Sequence, residues 1–120
     1  MDANTWLWIL AGFLAAVFLG TGALKLTRSR EEIATAGMPW AADWSERALR
    51  LLGGAEVVGA LGLLVPYVAP FAAVVLAAVT VPELVTHVRR GELFPEVLRT
   101  LALVALCVLL AYYRFGPQAF

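Results

Sequence analysis

The chain has 120 residues, of which 62% are hydrophobic and 15% charged, whereas an ordinary soluble domain has roughly 45–50% and about 25%. A fold this small buries only about 60–70% of its unfolded surface, so we expect the remaining apolar surface to face lipid. Nine Lys plus Arg residues balance nine Asp plus Glu residues, which excludes a nucleic-acid partner recognised by a basic surface.

Four apolar segments are long enough to cross a bilayer, whose core requires about 20 helical residues. Residues 3–24 carry no charge, and residues 57–82 carry none either but contain Pro66 and Pro70. We therefore expect two helices joined by a turn in the second stretch, with Pro70 in the first turn of the new helix and Pro95 in the same position later. The prediction is an all-α, polytopic membrane protein, a single domain over residues 1–120 with a bundle of four transmembrane helices at about 5–26, 46–66, 70–90 and 95–114.

The connection over residues 27–45 has signals of its own. Two residue pairs fit the capping box, in which a short side chain and a Glu satisfy each other's free N–H groups: Ser29 with Glu32, and Asp43 with Glu46. Gly37 is suited to end the short helix that the first pair begins, and Trp40 and Trp44 are typical of the headgroup level. We expect this segment to lie on the cytoplasmic membrane surface, with an ordinary solvated loop as the alternative.

The basic residues are distributed unevenly between the two ends of the predicted spans. Only Arg114 falls at the outer end, and all the others fall at the inner end: Lys25, Arg28, Arg30, Arg47, Arg50, Arg89, Arg90 and Arg99. Because Lys and Arg are enriched on the cytoplasmic side, the chain is predicted to be a multi-pass protein of the cell membrane with both termini extracytoplasmic.

Small residues at four-residue spacing permit the close helix contacts that hold membrane bundles together. They form stripes on three predicted spans: Gly12, Ala16 and Gly20; Ala55 and Gly59; and Ala69, Ala73 and Ala77. Gly53 and Gly54 are also expected to permit a tight crossing. The only cysteine, Cys107, is interpreted as an apolar filler, and a single Cys and a single His exclude an intrachain disulfide and a zinc site made of Cys and His.

Ionisable residues inside the spans are expected to face the bundle interior, because a charge at mid-bilayer costs about 2.5–3.5 kcal/mol. Glu56 is the deepest, and Glu83 reaches a similar depth. Thr21 and Lys25 are four residues apart and therefore share one helix face. Glu83 and His87 are also four residues apart, and Thr80 lies three residues before Glu83, so these three residues share a face of another helix. The predicted ligand site is a cytoplasm-facing pocket with Glu56 and Glu83 at its base, Thr21 and Thr80 on its walls, and Lys25 and His87 at its mouth.

Structural interpretations of the same residues remain open. Lys25 can extend to the headgroups instead of turning inward, and His87 can be an ordinary interfacial residue. Glu83 can be neutralised by His87 or by an arginine at the surface. Glu56 is the strongest functional candidate, as a general acid or base, because intramembrane carboxylates are functional by default.

Three segments together resemble the DoxX-like family: Gly22-Ala-Leu-Lys25-Leu26, Leu52-Gly-Gly-Ala-Glu56-Val-Val-Gly59-Ala-Leu-Gly62-Leu-Leu-Val-Pro66, and His87-Val-Arg89-Arg90-Gly91, with Arg114 closing the last span. The resemblance implies a small four-helix membrane protein. It includes Lys25, Glu56 and His87 in the family pattern, with Gly59 and Gly62 in structural positions, whereas Glu83 lies outside it. Some relatives in such a family are subunits linked to quinone-dependent sulfur oxidation or to oxidative-stress complexes, and distant ones assist membrane-protein assembly or export.

Four functions are compatible with these observations. The first is an accessory membrane subunit that binds a quinone or another small lipophilic molecule and docks a cytoplasmic or membrane redox partner. It would have no intrinsic cofactor and would borrow redox chemistry from the quinone or the partner. The others are a membrane-embedded enzyme that uses Glu56, a small proton-coupled transporter working as a homo-oligomer, and an assembly factor.

Overall fold

The computed structural model describes residues 3–35 and 39–116 of the chain. Over these ranges the protein consists of helices joined by short turns, and no β-strand is present among the described residues. The five α-helices are α1 (Ala3–Thr27), α2 (Arg30–Thr35), α3 (Glu46–Gly62), α4 (Ala69–Arg89) and α5 (Leu98–Phe115). A 3₁₀ helix at Pro39–Asp43 precedes α3, and a π-type turn at Leu93–Val97 precedes α5.

Three segments of the described chain are long and apolar enough to cross a membrane, namely Asn4–Thr27, Ala69–Arg89 and Phe94–Phe115. The predicted second span is not among these segments, because its helix, α3, has only 17 residues and is too short. At 1.5 Å per residue α3 is about 26 Å long, whereas a bilayer core is about 30 Å thick. The chain is therefore a helical membrane protein with three clear spanning candidates.

The long helices pack as two pairs around one apolar core. α1 lies along α3, α4 lies along α5, and α3 also packs against α4. The core between them contains fully buried side chains from all four long helices, among them Leu14, Ala60, Leu76 and Leu110. Large apolar side chains on the outside, such as Val58 and Phe71, remain exposed, as expected for a surface that faces lipid.

The crossing of α1 and α3 depends on one glycine from each helix. A methyl group added to Gly22 would lie 2.8 Å from the carbonyl oxygen of Gly53, and one added to Gly53 would lie 2.8 Å from the carbonyl oxygen of Gly22. Residues with side chains would therefore force the two backbones apart. Gly53 was expected to permit a tight crossing, but its neighbour Gly54 has no atom within 4 Å of an added methyl group.

The predicted packing stripe on α1 is wrong, because Gly12, Ala16 and Gly20 are exposed on the outside of the bundle. Leu14, Ala15 and Phe18 form the inward face instead. α1 therefore packs against its neighbours through this apolar face. A four-residue spacing of small residues does not by itself indicate which face of a helix is packed.

Two predicted helix boundaries also differ from the structure. α3 ends at Gly62 rather than at residue 66, and the N–H groups of Leu64 and Val65 bond to carbonyls three residues back. Pro66 disfavours helical geometry at the residue before it, so the chain leaves the helix early. Pro70 lies in the first turn of α4 as predicted, whereas α5 begins at Leu98 because Phe94, beside Pro95, is not helical.

One of the two predicted capping boxes is present. Ser29 and Glu32 exchange backbone-to-side-chain hydrogen bonds of 3.1 and 3.2 Å at the start of α2. The Asp43–Glu46 box is wrong, because Ser45 caps α3 by accepting from the N–H of Ala48 at 3.1 Å. Asp43 pairs elsewhere, as described below, and Gly37 lies outside the described residues.

Candidate functional site

The centre of the site is a buried lysine that contacts two carboxylates. Lys25 Nζ of α1 lies 2.6 Å from Oε2 of Glu56 on α3 and also forms an ion pair with Oε1 of Glu83 on α4. The side chains of Lys25 and Glu56 are each 1% exposed and that of Glu83 is 14% exposed. Lys25 therefore turns inward and joins three helices, rather than extending to the headgroups. We call these three residues the Lys25 cluster.

The local sequence of α1 explains why the lysine reaches this position. Thr21 and Lys25 are one turn apart and point to the same side of α1. Thr21 Oγ1 donates to Oε1 of Glu56 at 2.9 Å, so both oxygens of that carboxylate are engaged by α1. The Gly22–Gly53 crossing lies at the same level and brings the backbones close enough for these contacts.

The Lys25 cluster carries one excess negative charge when all three groups are ionised. Buried charges are costly unless they are paired and hydrogen-bonded, and one lysine neutralises only one of two carboxylates. The cluster therefore favours a further proton, or a ligand whose polar atoms compensate the excess charge. This property requires both acids and would be lost if either were replaced by Gln.

Trp40 covers the Lys25 cluster from the end of the bundle. Its ring lies 5.2 Å from Lys25 Nζ, in the range of a cation–π contact, and its residue is only 4% exposed. Trp40 and Ala41 of the 3₁₀ helix pack with Ile33 of α2 and Leu49 of α3 in a second buried apolar cluster. The 3₁₀ helix that carries Trp40 therefore packs over this end of the bundle, and the Trp40 side chain is buried in the protein.

His87 is buried, but it does not pair with Glu83 as its spacing suggested. Its ring packs edge-on against Trp40 at a centroid distance of 5.8 Å, and its Nδ1 lies 2.9 Å from Oε1 of Glu92. Glu83 instead forms an ion pair with Lys25, which it shares with Glu56. Glu92 follows α4 in sequence and was not identified by sequence analysis, because no periodic pattern marks a residue in a turn.

A short chain of ion pairs connects Glu92 with Asp43 at the end of the 3₁₀ helix. Arg90 lies 3.2 Å from Oε2 of Glu92 and 3.0 Å from Oδ1 of Asp43. The hydrogen bond from His87, and then the contacts with Arg90, lower the pKa of Glu92 below its usual value. Trp44 Nε1 donates to Thr86 Oγ1 at 3.0 Å. These contacts hold the 3₁₀ helix and Trp44 against the end of α4.

The remaining predicted residues have structural positions. Thr80 is buried, but its hydroxyl donates to the carbonyl of Leu76 on its own helix at 2.6 Å rather than to a carboxylate. A methyl group on Gly59 would lie 2.8 Å from Leu76, and one on Gly62 would lie 2.9 Å from Ala72. Both glycines thus lie at the contact between α3 and α4.

The described residues do not contain a group of three His, Cys, Asp or Glu side chains placed to hold a metal ion. Cys107 is fully buried in the apolar core, on the face of α5 that points into the bundle. The polar groups of the Lys25 cluster and of the adjoining Thr21 are an ammonium, two carboxylates and a hydroxyl.

Comparison with known proteins agrees with the family pattern read from the sequence. A family model described as the DoxX-like family matches residues 9–110, which include every residue of the Lys25 cluster together with Trp40 and His87. Neither a curated protein nor a solved structure matches the chain.

Proposed function

Since the chain belongs to the DoxX-like family, we propose that it is a four-span accessory membrane subunit. In this proposal it binds a quinone, or another small lipophilic molecule with oxygen atoms, at the Lys25 cluster. The observation that carries the proposal is the pairing of one buried lysine with two buried carboxylates. Lys25 would donate a hydrogen bond to a ligand oxygen, and Glu56 or Glu83 would give or accept a proton there.

The relative directions of the helices support four crossings. Lys25 and Glu83 are in contact, although each lies near the C-terminal end of its own helix. The chain must therefore return to the opposite face between α1 and α4, and α3 is the helix that makes this return. At the other end of the bundle Arg114 of α5 donates to Asn4 of α1, so α5 runs antiparallel to α1.

The same geometry supports an orientation with both termini extracytoplasmic. The helix ends that meet at the Lys25 cluster also carry most of the basic residues, which mark the cytoplasmic side. Labelling single cysteines in a Cys107→Ser background tests this orientation. A membrane-impermeant maleimide added to intact cells should modify Gly116→Cys and leave Glu31→Cys unmodified, and the reverse pattern would contradict the proposed orientation.

The redox link in the proposal follows from the chemistry of the ligand. Reduction of a quinone consumes protons as well as electrons, and the Lys25 cluster is a buried group that can exchange a proton. Electrons would come from a partner redox protein, because the described residues supply only acid–base and hydrogen-bonding groups at the cluster. The subunit would thus bind, orient and exchange protons with its ligand.

Binding can be followed through Trp40, whose ring lies beside the Lys25 ammonium. A short-chain ubiquinone titrated into the protein in nanodiscs should quench tryptophan fluorescence in a saturable way, and Trp40→Phe should remove most of the signal. Glu56→Gln should weaken binding by about tenfold or more, the factor set by one charge-assisted hydrogen bond. Glu31→Gln, at a carboxylate that is 75% exposed, is the matched control and should bind normally.

Two results would contradict the proposal. Quenching that does not saturate in the wild-type protein would leave assembly or scaffolding as the better function. Equal affinity in wild type and Glu56→Gln would show that the ligand binds away from the Lys25 cluster.

A further inference from the structure

A polar pocket lies outside the Lys25 cluster, between the end of the 3₁₀ helix and the end of α4. It has a volume of about 260 Å³ and is lined by Asp43, Trp44, Thr86 and Arg89. This volume is below the roughly 300–1,000 Å³ of pockets that enclose drug-sized molecules. The pocket therefore suits a small polar group rather than a whole metabolite.

The charges around this pocket are balanced rather than of one sign. Asp43 and Arg89 line it, and the Asp43 carboxylate also forms an ion pair with Arg90, which in turn pairs with Glu92. Asp43 and Glu92 thus balance Arg89 and Arg90, so the pocket has no excess positive charge that would favour a purely anionic group. A group that carries both charges satisfies both walls, so the lining favours a zwitterion over an anion.

The pocket lies at the end of a helix that can span the membrane, and this position indicates that the zwitterion belongs to the lipid headgroup region. Thr86 and Arg89 lie in the last turn of a spanning candidate, and the indole of Trp44 is held against that turn by its hydrogen bond to Thr86. Trp residues at helix ends are typical of the lipid headgroup level. The headgroups of zwitterionic phospholipids lie at this depth.

We propose that this pocket binds the headgroup of phosphatidylethanolamine, with the phosphate on Arg89 and the ammonium between the Asp43 carboxylate and the Trp44 ring. Arginine forms strong charge-assisted hydrogen bonds with phosphate, and an ammonium is attracted both to a carboxylate and to an indole face. The partial negative charge at the C-terminus of α4 adds to the attraction for the ammonium. The site is independent of what the Lys25 cluster binds.

The test compares lipids on the unmodified protein, so that it does not depend on how a variant folds. The purified protein is mixed with equal amounts of phosphatidylethanolamine and phosphatidylglycerol that have the same acyl chains, and the bound lipid is measured by native mass spectrometry. Phosphatidylethanolamine should exceed phosphatidylglycerol by about tenfold, the ratio that one charge-assisted contact provides. Phosphatidylcholine, whose quaternary ammonium cannot donate to Asp43, should fall between them.

A matched pair of arginine variants then locates the site. Arg89→Gln should lower the retention of both lipids, because each carries the phosphate that Arg89 binds, whereas Arg99→Gln, an exposed arginine at the same end of the bundle, should leave their retention unchanged. Equal or greater retention of phosphatidylglycerol by the wild-type protein would overturn the proposal. So would unchanged retention of both lipids in Arg89→Gln, or displacement of the lipid by an equal amount of free O-phosphoethanolamine, which would point to a soluble ligand.

Discussion

The two ends of the bundle hold their buried cations in different ways. At one end Lys25 lies between two carboxylates contributed by α3 and α4 and is covered by Trp40. At the other end Arg114 is 2% exposed, its Nη1 lies 2.6 Å from Oδ1 of Asn4, and its guanidinium lies 5.0 Å from the Trp8 ring. The contacts described for Arg114 are thus with neutral groups of α1.

This difference separates a structural contact from a chemically reactive one. The contacts of Arg114 with Asn4 and Trp8 link α5 to α1. A cation shared by two carboxylates leaves an excess charge that a proton or a ligand can compensate. The Lys25 end is therefore the end at which function is expected.

The largest effect should come from Lys25→Met. This change leaves two buried carboxylates without their cation, and breaking a buried ion pair costs about 3–5 kcal/mol in the free energy of unfolding. Unfolding in detergent, followed by circular dichroism, would measure the loss. Adding Glu56→Gln and Glu83→Gln to Lys25→Met should recover part of it, and a triple variant less stable than Lys25→Met would contradict this reasoning.

A smaller effect is expected at the glycine crossing that lies beside the cluster. Gly22→Ala places a methyl group 2.8 Å from the carbonyl oxygen of Gly53, and overpacking of this kind costs about 1–3 kcal/mol. Gly20→Ala, on the same helix with open space around it, should be neutral or slightly stabilising. Equal thermal stability of the two variants would show that the α1–α3 crossing is wider than described.

At the Arg114 end we expect a still smaller change. Asn4→Ala removes one hydrogen bond to the guanidinium. A hydrogen bond in a membrane protein contributes on average much less to the free energy of unfolding than a buried ion pair does. The loss in the free energy of unfolding should be about 1 kcal/mol. A loss as large as that of Lys25→Met would contradict the contrast drawn between the two ends.

The smallest effect concerns acid stability at Glu92. Because its folded-state pKa lies below its unfolded value of about 4.3, Glu92 stabilises the fold above that pH and loses this contribution as the pH falls through its folded pKa. Glu92→Gln should therefore lower the melting temperature slightly at neutral pH and flatten its decline in acid. Melting curves over this pH range, with Glu31→Gln as control, would test the prediction, and parallel curves would contradict it.

Sequence reasoning could predict the apolar helices and the inward position of deep charges, because lipid strongly penalises the alternatives. Glu56 is the clearest example, whereas for Lys25 the sequence left open whether the side chain turns inward or extends to the headgroups. It could not predict that Trp40 folds over Lys25, since that contact joins residues from different elements and follows no period. It also selected the wrong small residues on α1. The importance of Gly22 comes from its close approach to Gly53 on α3, and the residue pattern of one helix contains no information about such a contact with another helix.

The central claim is that Lys25 and Glu56 form one energetic unit inside the bundle, and a double-mutant cycle tests it most directly. The free energy of unfolding would be measured in the same detergent for wild type, Lys25→Met, Glu56→Gln and the double variant. We predict a coupling of about 2 kcal/mol or more, whereas independent sites add within about 0.5 kcal/mol. Additivity of the two single changes would contradict the claim.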